Sequence, residues 1–257
     1  MKFTRERLYS VKNSDYIEAN LCVYSDEQQR AVRLKRAKRS KMTEPKVKKL
    51  NDEYCRQYVR LMLNGNFGVG DYQMYLSYAE QPPDRRTAER HLTNYLKRLS
   101  RLYKKSGIEF KWFKVTEFGA RSGRIHHHIV IPGGVDRNKI EALWGLGIAN
   151  CKTLQKNQSG KWLNDFASYL MKSKANAEKS ERVFSHSQNL VKPDVRVCDN
   201  DRVNRKRLGR LVEAARNDDV RNVAENIYKG YRLLEARVEE NPVTGLHFAH
   251  IIMARLE

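Results

Sequence analysis

The chain has 257 residues, with Lys+Arg 50 against Asp+Glu 30 and a formal net charge of +20. Its 40% apolar content is enough to build a core, which excludes global disorder, and the four cysteines contain no CxxC pair, which argues against a zinc ribbon or a disulfide framework. The longest stretch free of charged residues, Ile125 to Val135, spans 11 residues, against the roughly 18 a membrane helix needs, and residues 1–16 carry no apolar signal core. A cytoplasmic protein with a polyanionic partner is expected, because neutralising phosphates releases counterions.

Taken in chain order, Arg33–Lys49 holds nine basic residues and one acid, Glu44. Such a run cannot enter a core, so it reads as a solvated arm or a phosphate-tracking surface, with Arg36, Lys38 and Arg39 as candidate DNA contacts. From Leu50, apolar residues recur at helical spacing up to the Asn64-Gly65-Asn66 turn. Residues 1–64 therefore form a basic extension with a helical segment, and 65–257 the main domain with a C-terminal elaboration.

A strand is expected over Tyr72–Tyr78, then a helix capped by Asp84 with Ala88, Leu92, Tyr95, Leu96, Leu99 and Tyr103 on one face, ending near Ser106-Gly107. Strands over Phe110–Glu117 and Ile125–Ile131 form a hairpin around the Gly119–Gly123 turn. A short helix capped by Asp136, a fourth strand over Gly147–Leu154 and a helix over Trp162–Lys174 follow. A basic helix near Arg202–Arg216 and a strand over Gly245–Met253 complete the series. The order β-α-β-β-α-β-α with a central hairpin implies an α+β fold, a largely antiparallel sheet flanked by helices. No Gly-Lys-Ser/Thr of a Walker A loop occurs, so no nucleotide cofactor is expected.

Three consecutive histidines, His126, His127 and His128, fall inside a predicted strand. Alternation sends His126 and His128 to one face and His127 to the other. Hairpin pairing brings Glu117 toward that pair, and a carboxylate with two imidazoles leaves open positions on a divalent ion, as catalysis requires. Tyr169 and Lys172, at i and i+3, share a helix face. Alone that pair is a weak pattern, equally that of a half-buried Tyr and a solvated Lys.

Together these pieces resemble the HUH endonuclease superfamily, specifically the single-tyrosine rolling-circle replication initiators (Rep) of plasmids and phages. The segments that carry the resemblance are MYLSYAEQPP at 74–83, KWFKVTEFG at 111–119, GRIHHHIVI at 123–131, LWGLGI at 143–148 and ASYLMKSK at 167–174. His127 departs from the hydrophobic residue usual between the two ligand histidines. The resemblance implies a central sheet of about five strands in an RRM/ferredoxin-like fold, with core motifs over 72–175. It implies that Glu117, His126 and His128 hold Mg²⁺ or Mn²⁺. Tyr169 would attack a phosphate of single-stranded DNA, assisted by Lys172, to leave a 5′-phosphotyrosine and a free 3′-hydroxyl. Arg124, Lys114 and Lys174 join the candidate DNA contacts. The implied partners are single-stranded DNA at a replication origin, hairpin or not, and a host helicase and polymerase. Two readings stay open beside it: a single-strand transposase of the same superfamily, and a nucleic-acid-binding module whose histidines are structural.

Overall fold

The computed structural model describes residues 2–25, 45–81, 83–118, 123–155, 163–171, 184–240 and 246–255. The fold is α+β, with two five-stranded antiparallel sheets and six helices among the described residues. Contacts divide the chain into two units, Asn66–Leu190 and the remainder, Met1–Gly65 with Val191–Glu257. No helix among the described residues is long and apolar enough to cross a membrane.

The chain-end unit contains strands β1 (Lys2–Ser10) and β2 (Tyr16–Ser25) and helix α1 (Pro45–Asn66). The central unit follows with β3 (Tyr72–Leu76), α2 (Arg85–Lys105), β4 (Phe113–Phe118), β5 (Ile125–Ile131), α3 (Arg137–Ala142), β6 (Ala149–Thr153), α4 (Asn164–Leu170) and β7 (Phe184–His186). The chain then returns to the first unit through β8 (Asp194–Asp199), α5 (Arg205–Arg216), α6 (Val220–Ile227), β9 (Tyr231–Glu240) and β10 (His247–Arg255).

The central sheet has the order β6-β3-β5-β4-β7. Helix α2 starts where the Asp84 carboxylate accepts from the Thr87 backbone N–H at 3.0 Å and ends at Ser106, before Gly107 at φ +69°. Its apolar stripe, Ala88, Leu92, Tyr95, Leu96, Leu99 and Tyr103, packs with Met74, Leu76, Ile125, Ile129 and Ile131 of the sheet and with Trp144. Each fully buried leucine of that stripe stabilises by roughly 1.5–3 kcal/mol. This layer closes one face of the sheet and leaves the other to α4.

In the chain-end unit the order is β8-β1-β2-β10-β9. Helices α5 and α6 cover one face through Leu208, Leu211, Ala224 and Tyr228 against Ile17, Ala19, Leu21, Ala249 and Ile251. Helix α1 lies on the other, where Arg60 forms a two-pronged ion pair with the fully buried Glu18, both contacts at 2.9 Å.

Sequence patterning treats residues 1–64 as an extension, whereas the structure builds β1 and β2 into one sheet with β8, β9 and β10. Those two strands lack a simple polar-out, apolar-in alternation because helices pack on both sides of their sheet. Their buried acids are explained only by distant partners: Glu6 accepts from Tyr228 Oη at 2.6 Å, and Glu18 is held by Arg60 and His250.

Candidate active site

The site grows out of the β4–β5 hairpin, whose register sets Glu117 opposite His126 and Val115 opposite His128. Since alternate strand residues share a face, Glu117, His126 and His128 lie together on the side away from α2. Glu117 Oε1 is 2.7 Å from His126 Nε2 and 3.0 Å from His128 Nε2. The three donor atoms lie within 4.8 Å of one another, and one carboxylate with two imidazoles is a donor set suited to Mn²⁺, Zn²⁺ or a hydrated Mg²⁺. His126 Nδ1 is 3.3 Å from the Arg124 carbonyl, the outer hydrogen bond that orients a ligand imidazole. Burial disfavours the charged form of His126, but the hydrogen bonds to Glu117 and the Arg124 carbonyl, with the charge of Glu117, raise its pKa. A cation entering here would displace that proton.

The middle histidine is a core residue. His127 is fully buried on the α2 face, with Tyr78 Oη 3.0 Å from Nε2 and Thr116 Oγ1 2.9 Å from Nδ1. Burial pushes its pKa down to about 3, so the neutral ring donates through one nitrogen and accepts through the other. Alternation also decides Lys114. It shares the α2 face, is buried, and forms an ion pair with Glu89, so its charge is turned away from the histidine pair that it was expected to serve.

Helix α4 brings Tyr169 to the same place from a distant part of the chain. Its ring stands edge-on to that of His128, with centroids 5.4 Å apart and planes at 86°, and it remains 48% exposed. Partial burial, then the negative charge of Glu117 and the neighbouring Tyr75, push the phenol above its ordinary pKa. Arg124 ties the strand entrance to the loop after β3, donating to the Tyr78 carbonyl at 2.8 Å and the Glu80 carbonyl at 2.7 Å. Lys172, Lys174, Arg36, Lys38 and Arg39 lie outside the described residues.

Sequence reasoning missed Tyr75. Register places it beside His128, and its ring centroid lies 5.3 Å and 5.5 Å from those of His126 and His128. The available signal was its odd position in YQMYLSY, which alternation puts on the face opposite Met74 and Leu76. Beside it, a cleft of about 320 Å³ is lined by Gln73, Tyr75, His128, Asn150, Lys152 and Tyr169 among others. The polar residues of β6 in it belong to a strand with no chemical signature of its own.

Residues 71–174 match a family model of replication-associated proteins, the ORF2 type. The matched segment includes Glu117, His126, His128 and Tyr169. No curated protein and no solved structure matches the chain.

Proposed function

We propose that the chain initiates replication by nicking and rejoining single-stranded DNA, with Tyr169 as nucleophile. The observation that carries this reading is the exposed phenol standing edge-on to His128 beside a carboxylate–imidazole cluster. The match to a replication-associated family over the same segment supports it.

Glu117, His126 and His128 would hold a divalent cation, Mg²⁺ or Mn²⁺. When bound, such an ion would supply Lewis-acid polarisation and charge stabilisation at the scissile phosphate. Tyr75 bounds the histidine pair and offers a ring on which a flanking base can stack. Arg124 fixes the loop after β3 against the strand that carries the histidines. The raised pKa of Tyr169 keeps the phenol protonated near neutrality, so positive charge at the phosphate is needed to favour the phenolate. Lys172, one helical turn further along the sequence, is suited to that task.

In the forward step the Tyr169 oxygen forms a bond to phosphorus while the bond from phosphorus to the 3′-oxygen breaks. The phenol loses its proton and the departing 3′-oxygen gains one. The products are a 5′-phosphotyrosine ester and a free 3′-hydroxyl able to prime synthesis. Attack of a 3′-hydroxyl on that ester reverses the step, so joining consumes no nucleotide. Duplex unwinding then falls to a separate helicase. Labelled single-stranded DNA from the replicon, incubated with the protein and Mn²⁺, should yield a covalent band on a denaturing gel. EDTA should abolish the band. Failure across the whole replicon, with metal binding intact, would reject the reading.

A further inference from the structure

The sheet of the chain-end unit presents aromatic, guanidinium and amide side chains in register on the face that α1 crosses. Phe3 pairs with Tyr24 across β1 and β2, and their rings stack with centroids 6.2 Å apart. The Arg5 guanidinium lies 5.2 Å and 5.1 Å from those two rings, and that of Arg7 lies 5.7 Å from Tyr24. In the next rows Arg5, Cys22 and Phe248 are neighbours, then Arg7, Asn20 and His250. The band ends in a cleft of about 280 Å³ lined by Asn20, Tyr54, Gln57, Phe248 and His250, among others.

These groups are not packed into a core: Phe3, Arg7, Tyr24 and Phe248 are half-buried and Tyr54 is 41% exposed. Gln57, by contrast, is 4% exposed. Its Oε1 accepts from Asn20 Nδ2 at 3.0 Å, while its Nε2 has no hydrogen-bond partner among the described residues. A buried donor left unmade is costly, and a ligand carbonyl reached by rotation about the soft terminal torsion would relieve it.

Charge narrows the class of ligand. Asp199 pairs with Arg5 and Glu239 with Arg237, so much of the cationic character of this face is already compensated. What remains is stacking surface and amide hydrogen bonding, the chemistry that binds unpaired bases on an open sheet rather than the chemistry that tracks phosphates. We infer that this face is a second binding site, for a short run of single-stranded DNA, with bases stacked on Phe3, Tyr24 and Tyr54 and one base edge held by Gln57 and Asn20. The choice of DNA rests on the proposed nicking function. The location rests on these residues alone.

The test uses the full chain carrying Tyr169→Phe, in EDTA, with fluorescein-labelled oligo(dT) read by anisotropy. Replacing Tyr24 and Tyr54 together by Leu should weaken binding by roughly tenfold or more, whereas replacing both by Phe should keep it within about twofold, since the rings and not the hydroxyls carry the stacking. Thermal melts confirm that each variant folds. Photocrosslinking with 5-iododeoxyuridine in the unsubstituted face should label peptides containing Tyr24, Tyr54 or Phe248. Unchanged affinity in the Leu variant, or crosslinks confined to residues 66–190, would overturn the inference. Tighter binding of oligo(rU) than oligo(dT) would overturn the choice of DNA. If the otherwise native chain never forms a covalent adduct yet its oligo(dT) binding still depends on these rings, the nicking reading fails and this site stands.

Discussion

Tyr169 and His128 come from elements separated by β6 and its loops, yet their rings meet edge to face at 5.4 Å. The strand fixes His128 by pairing on both sides, with Tyr75 in β3 and Val115 in β4. Only α4 has to dock correctly for an exposed phenol to stand over the metal-ligand cluster.

If Glu117, His126 and His128 form one cation site, each single replacement should reach it. Glu117→Ala or His128→Ala should weaken Mn²⁺ binding at least about tenfold in calorimetry. Unchanged affinity in both variants would reject the ligand set.

His127 separates the two roles within one tripeptide. His127→Leu deletes the partner of Tyr78 and Thr116 and should destabilise the central unit by about 1–3 kcal/mol. Mn²⁺ affinity should stay near that of the native chain. A variant with native stability and lost metal binding would reverse the assignment of the faces.

Much of this site is legible in the sequence because its signals are local. The His-x-His alternation, the glycine-rich turn and the Asp84 cap each fix a side chain's direction within a few residues. The α2 stripe is equally legible, since Leu92, Leu96 and Leu99 repeat at helical spacing. Tyr75 escapes because an aromatic residue in a strand reads as core until register sets it beside His128. The strands β1 and β2 escape for a stronger reason. The alternation KFTRERLYS puts Glu6 on the buried side, which is stable only because Tyr228, 222 positions away, donates to it.

The other buried acid makes stability depend on pH. Burial works against the Glu18 carboxylate, but hydrogen bonds from His250 and Arg60, and their positive charge, outweigh it and lower its pKa. The folded value lies below the unfolded one, so this contribution is fully present above the ordinary glutamate range near about 4.3 and is lost as pH falls through the lowered value. Urea midpoints between pH 7 and pH 3 should therefore fall less in Glu18→Gln than in the native chain. The same variant leaves Arg60 buried without its carboxylate and should lose about 3–5 kcal/mol at pH 7.

Gly147 fixes the loop that backs the site. It has φ +155°, and a Cβ there would stand 2.4 Å from the Ser77 carbonyl oxygen, between the hydrogen bonds from Ser77 N to the Ile148 carbonyl and from Ala79 N to the Leu146 carbonyl. Gly147→Ala should cost about 1–3 kcal/mol of stability in urea unfolding. Gly209→Ala, where a Cβ would meet nothing within 4 Å, should instead be neutral or stabilise α5 by up to about 1 kcal/mol.

One covalent bond separates this chemistry from its alternatives, and the most direct measurement is to locate it. The protein is reacted with replicon single-stranded DNA and Mn²⁺, digested with nuclease and trypsin, and the modified peptide is sequenced by mass spectrometry. The expected product is a 5′-phosphodeoxynucleotide on Tyr169, absent with EDTA and absent in Tyr169→Phe. An adduct on another residue, or cleavage with no adduct while Tyr169→Phe stays active, would contradict the proposed function.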